Sequence, residues 1–140
     1  MSAATHGRRL RAARRLEAEI GFLARALLAE TDGGPLRAVE ALAACTMNRL
    51  RAVRETAPGI SLPAVARRHD CFPAGLRSPR TAEAAAFDAC RRIAARAASG
   101  SLPDPTRGAV RWHRLGEAPQ WAQALHPSAL VGERVFYGPS

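Results

Sequence analysis

The chain of 140 residues contains no lysine, only one tyrosine and two tryptophans, and three cysteines. Nowhere does it hold the run of about 18 apolar residues that a membrane span requires, so a spanning helix is not expected. Cys45, Cys71 and Cys90 are odd in number and lack CxxC spacing, which argues against a disulfide framework and a zinc site. Cys45 and Cys90 fall within helical patterns and read as small apolar core fillers. His6, His69, His113 and His126 are scattered, with no HExxH pair. No GxSxG, P-loop or GxGxxG occurs either, so neither a metal nor a cofactor is expected. With 47% apolar and 24% charged residues, a disordered chain is excluded, and the length suits a single domain.

The missing lysines leave arginine as the whole basic complement, 21 residues against 12 acidic ones, for a net charge of +9. Arginine and alanine share GC-rich codons, so the excess reads first as genome bias. A surface so charged also favours polyanions: nucleic acid, acidic lipid or an acidic wall polymer. Residues 1–16 hold Arg8, Arg9, Arg11, Arg14 and Arg15 and no acid. They read as a basic helical extension, with a partner-binding arm as the alternative, and residues 17–140 as one domain. A secretory leader would follow this stretch with an apolar run, but Glu17, Glu19 and Arg25 interrupt, so no Sec-type signal is expected.

The clearest helix runs from Leu16 to Glu30. At about 100° per residue, Leu16, Ile20, Leu23 and Leu27 form one stripe, and Glu30 falls inside it. Asp32-Gly33-Gly34-Pro35 ends the helix. A second helix is predicted over Leu36–Val53, with Leu36, Val39, Ala43, Met47 and Leu50 inward. A short one is predicted over Leu62–Arg68 with Pro63 in its first turn. His69 to Pro79 reads as loop. A third long helix runs to Ser99 from Thr81 as N-cap, with Gly100 as its stop and Phe87, Cys90, Ile93 and Ala97 inward. Gly108–His113 alternates as a strand, with Val110 and Trp112 on one face and Arg111 and His113 on the other; Val131–Tyr137 alternates too. Ala118–Leu125 is read as one or two helical turns carrying Trp121. The fold class is α+β, mainly helical, with a small antiparallel sheet near the C-terminus.

Glu30 is the outlier in this pattern. An unpaired carboxylate on an apolar stripe is costly, and burial favours its neutral form. A carboxylic acid kept protonated is what protonation of a glycosidic oxygen requires. Alternatively, Glu30 snorkels to solvent or pairs with one of the arginines. Asp32, Asp70 and Asp104 read as turn or cap formers, so no second catalytic carboxylate stands out. Trp112, Trp121, Phe136 and Tyr137 gather in the last 30 residues, which suits either sugar stacking or the core of the small sheet; Trp112 is expected to be core.

Phe22 to Glu30 followed by Gly33 resembles the opening motif of the SleB/CwlJ family of cell-wall hydrolases, in which the Glu of an AEA pattern is catalytic. Ala38 to Leu50, with Met47-Asn48-Arg49, resembles the family's next helix. Phe72 is similar to the Phe of its QFS loop, and Asp104 to Ala109 with His113 to its DPT-x-GA strand motif. Trp121 and Gly132 to Tyr137 resemble its later Trp and its closing IG-x-H-x-FY. The likeness spans about residues 18–138 in order. Gly34, Cys71 and Arg134 depart from it, standing where the family has Glu, Gln and His.

The resemblance implies a lysozyme-like domain acting on peptidoglycan glycan strands without metal or cofactor. A neutral Glu30 would protonate the oxygen between N-acetylmuramic acid and N-acetylglucosamine. The carboxylate would then take a proton from the C6 hydroxyl as a 1,6-anhydro ring closes, as in a lytic transglycosylase; entry of water would make it a muramidase. Phe72, His113, Trp121, Tyr137 and Asn48 are the implied substrate contacts. Such an enzyme would act in the wall or periplasm after release from the cytoplasm. An Arg-rich nucleic-acid-binding domain and a degenerate peptidoglycan-binding module are the alternatives. The enzymatic expectation requires Glu30 uncharged beside a sugar cleft, and a carboxyl locked against a guanidinium would contradict it.

Overall fold

A computed structural model describes residues 2–68, 72 and 76–139. Asp70, Cys71 and most of the loop that begins at His69 lie outside the described residues. The chain runs through α1 (Ala3–Thr31), α2 (Leu36–Arg54), α3 (Leu62–Arg68) and α4 (Ala84–Ser99), then β1 (Arg111–Arg114), β2 (Ala129–Val131) and β3 (Arg134–Tyr137). It is the α+β architecture expected, with the antiparallel sheet confined to the last 30 residues.

α2 is the central helix. Its sequence from Ala38 to Met47 has almost no polar side, and nearly all of it is buried, as an all-round apolar helix must be. α1 and α4 pack on α2 and along each other, and the sheet closes the other side of α2. Ile20, Leu23 and Leu27 are buried as the stripe predicts. Leu16 is not: it is 41% exposed. The cause is length. At about 1.5 Å per residue α1 extends about 44 Å and α4 only about 24 Å, so the first half of α1 outruns its partner. Residues 8–18 are all exposed, and the basic stretch is the first half of one continuous helix, with Arg15 donating to the Ile60 carbonyl at 3.1 Å. Leu36 is exposed as well, because it opens α2 before the helix enters the core.

Thr81 does not cap α4. Thr81–Glu83 forms a 3₁₀ turn ahead of it, closed by the Glu83 carboxylate accepting the Arg80 N–H at 2.8 Å and the Arg77 guanidinium at 2.9 Å. The Arg77 guanidinium holds the Glu83 carboxyl down at about 2. Gly100 ends α4 in the left-handed region. Cys45 and Cys90 are buried in the core, as expected, and burial pushes the Cys90 thiol up.

The sheet has three strands where the sequence suggests two, in the order β1-β3-β2. Gly132, at φ +61, turns the chain inside the second alternating stretch and separates β2 from β3. β3 is covered on both faces, by the helical core at Phe136 and by His113 and Trp121 at Tyr137, so Val135, Phe136 and Tyr137 are all buried instead of alternating. β1 starts at Arg111, three residues later than predicted, because Asp104 folds the preceding residues into a turn. Its Oδ1 accepts the Thr106 N–H at 2.8 Å and the Thr106 hydroxyl at 2.6 Å. Its Oδ2 accepts the Gly108 N–H and the Asn48 amide, both at 2.9 Å. Asn48 donates its amide again to the Ala109 carbonyl at 3.0 Å, fastening this turn to α2.

Two consequences follow for stability. Partial burial opposes ionisation of Asp104, but the bonds from Thr106, Asn48 and Gly108 outweigh it and lower its pKa. Asp104→Ala is expected to cost about 2 kcal/mol in urea unfolding, since several donors lose their acceptor. A lowered carboxyl pKa stabilises the fold above the unfolded value of about 3.9, and that contribution fades as pH falls through the lower folded value. The gap between wild type and variant should therefore shrink below about pH 4; a gap constant down to pH 2 contradicts this. Gly33 sits at φ +93, and an added Cβ would lie 2.7 Å from the Ala86 Cβ on α4. Gly33→Ala is expected to lower stability by about 1–3 kcal/mol, and an unchanged unfolding midpoint would refute the close approach.

Candidate active site

Glu30 lies in the last turn of α1, on the same side as Leu23 and Leu27. Helical phase therefore carries its carboxylate inward, and the side chain is 1% exposed. The helix stops one residue later. Asp32 adopts the left-handed conformation while its N–H bonds the Leu28 carbonyl at 2.8 Å, and Gly33 follows with positive φ. Glu30 is thus held at a rigid helix end facing the sheet.

The sheet supplies its partners by register. Trp112 pairs with Phe136 and Arg114 with Arg134 across β1 and β3. Residues directly opposite share a face, and alternate residues along a strand return to it, so these four point to one side. Phe136 is fully buried in the helical core, so this is the inner face. Arg134 Nη2 donates to Glu30 Oε1 at 3.1 Å and to the Glu30 backbone carbonyl at 2.9 Å. Arg114 Nη2 donates to Glu30 Oε2 at 2.7 Å. Both guanidinium carbons stand 5.6 Å from the Trp112 ring centroid, a cation–π distance.

The two arginines differ in environment. The Arg134 side chain is 13% exposed and the Arg114 side chain 53%. Arg134 is part of the interior and ties the end of α1 to the central strand. Arg114 lies at the surface, with its Nη1 3.9 Å from Glu117 Oε1 as a second, looser partner.

This arrangement corrects the expectation of an uncharged acid beside an open cleft. Glu30 is locked against not one guanidinium but two, and pairing with arginine, the alternative that its phase left open, is what the structure realises. Arg134, standing where the resemblance calls for His, is one of the two locks. Arg114 and the Trp112 platform were not singled out for the site. Carrying the alternation of the first strand one residue further would have placed Arg114 beside Trp112.

The implied substrate contacts come from five separate parts of the chain. His113 and Tyr137 belong to the opposite face of the sheet, one residue out of phase with Trp112 and Phe136. There they form a cluster with Trp121, with ring centroids 5.2–5.8 Å apart, and the Arg111 guanidinium lies over Trp121. The His113 ring meets the Arg114 carbonyl through Nδ1 at 2.8 Å and the Tyr137 hydroxyl through Nε2 at 2.9 Å. A carbonyl only accepts, so Nδ1 carries the proton. Tyr137 is buried and Trp121 half-buried, so the trio serves as a small second core beneath the turn at Gln120–Ala122. Phe72 is half-buried against the helical core. Asn48 donates its amide to the Asp104 carboxylate and to the Ala109 carbonyl.

Among the described residues no three His, Cys, Asp or Glu side chains cluster to hold a metal ion, and no helix is long and apolar enough to cross a membrane.

No known protein-family model and no curated protein matches the sequence. Among solved structures, the chain is similar to the catalytic domain of the SleB protein of Bacillus cereus, with a TM-score of 0.66 and 21% identity, over 86% of this chain and 90% of that one. The similarity spans almost the whole of both chains, and the protein has the fold of that catalytic domain.

Proposed function

We propose that this domain cleaves the glycan strands of peptidoglycan at the bond between N-acetylmuramic acid and N-acetylglucosamine, with Glu30 as the proton-transferring group. The observation that carries the proposal is a buried carboxylate at the end of the first long helix in a chain with the fold of the SleB catalytic domain. The order of motifs along the sequence supports the same position for the acid.

In the closed arrangement Glu30 cannot give up a proton, because both oxygens accept from guanidinium groups. Arg114 has to leave before Oε2 can carry one. Arg134 stays, bonded to the backbone as well as the carboxylate, and fixes the direction of the group. With Oε2 free and protonated, Glu30 donates to the glycosidic oxygen. It then accepts the proton of the C6 hydroxyl as the 1,6-anhydro ring closes, so no second carboxylate is needed. Asp32, two residues on, is exposed beyond the end of the helix.

The second reading is a module that binds glycan without cutting it, and the two ion pairs on Glu30 favour it. The two readings part on one experiment. Purified protein incubated with isolated sacculi should release soluble fragments with anhydro-muramic ends, seen by mass spectrometry. Glu30→Gln should lower the rate by about 10²–10⁴-fold, the usual weight of a positioned acid–base group. Sedimentation of the protein with sacculi that stay intact would establish the binding module instead.

A further inference from the structure

The unequal burial of the two arginines gives Arg114 a role of its own. Arg134 is enclosed and makes two bonds to Glu30, one through the backbone. Arg114 makes a single bond to Glu30 Oε2, from a side chain more than half exposed at the end of a four-residue strand. Without it, a carboxylate that is otherwise 1% exposed loses its outer partner. Arg114 is also placed to change partners. Glu117, itself 54% exposed, accepts the Arg114 backbone N–H at 2.8 Å and lies 3.9 Å from its Nη1. The guanidinium fork therefore stands between a buried carboxylate and a surface one, above the Trp112 ring.

Guanidinium groups bind carboxylates with strong, geometry-specific hydrogen bonds. An incoming carboxylate competes directly for Arg114, and a neutral ligand does not. Resting on the glycan-cleaving function proposed above, we infer that Arg114 is a displaceable cover on Glu30, drawn off by a carboxylate of the substrate. Arg114 is thus a specificity-determining residue: it makes the exposure of the acid conditional on an anionic glycan. The peptide-bearing strands of peptidoglycan carry such carboxylates, while a neutral amino-sugar polymer carries none. The exchange moves no covalent bond; one ion pair at Oε2 is replaced by another on the ligand.

The test compares intact sacculi with sacculi whose carboxylates have been converted to amides, using wild type, Arg114→Ala and Arg114→Lys, with cleavage and co-sedimentation read on each. Wild type is expected to cleave the native polymer at least about tenfold faster than the amidated one, the weight of one charge-assisted hydrogen bond. Arg114→Ala should cleave both at rates within about twofold of each other, because the cover is gone and charge no longer matters. Arg114→Lys keeps the cation and should keep part of the preference, and a thermal melt of each variant separates lost folding from lost selectivity. Cleavage by wild type with no preference for the native polymer, or with a preference that survives in Arg114→Ala, overturns the inference and leaves the proposed function intact. Arg114-dependent binding to native sacculi without any cleavage does the reverse: the carboxylate contact stands and the enzymatic function falls.

Discussion

A carboxylate shut between two guanidinium groups joins the two halves of this protein. Glu30 belongs to the helical layer and Arg114 and Arg134 to the sheet, and their meeting fixes where the end of α1 lies against β1 and β3. Removing water from a lone carboxylate is costly, and so is removing it from a lone guanidinium; here the groups offset one another. Arg134 also binds the Glu30 backbone carbonyl, one of the orphan acceptors at a helix C-terminus. One side chain thereby caps a helix, neutralises a buried charge and anchors the central strand.

The same contact bears on the proposed function. A glycosidic oxygen can receive a proton only from an acid that holds one, and an oxygen engaged by Arg114 at 2.7 Å is not available for it. Under the proposed function this is a closed form, and cleavage would require movement of one exposed side chain and retention of one buried one. The fold supplies the frame, a helix end facing a small sheet. Within that frame two arginines hold the buried carboxylate.

The helical half was readable from the sequence. The stripe through Ile20, Leu23 and Leu27, the break at Asp32–Pro35 and the stop at Gly100 are local signals, and local hydrogen bonding enforces them. The errors lie where packing decides. Leu16 and Leu36 have core periodicity but no neighbour to cover them, a matter of relative helix length and position. The turn at Gly132 falls inside the stretch read as a single strand, so two strands were expected where there are three. Thr81 has the chemistry of a cap, but the Glu83 carboxylate and Arg77 claim that turn.

At the site, the position of Glu30 was legible and its company was not. Arg114 and Arg134 are 84 and 104 residues away along the chain, and with 21 arginines no rule of spacing selects those two. The aromatic residues show the same limit. His113 and Tyr137 differ from Trp112 and Phe136 by one residue each, and that single step sends them to the far side of the sheet. The most direct measurement is a pair of double-mutant cycles on unfolding free energy, coupling Glu30→Gln with Arg134→Ala and with Arg114→Ala. Unequal locks predict coupling of about 2 kcal/mol or more for the buried pair and under about 1 kcal/mol for the exposed one. Additive effects in both cycles would contradict a Glu30 gripped by the sheet, and equal couplings would contradict a fixed Arg134 beside a movable Arg114.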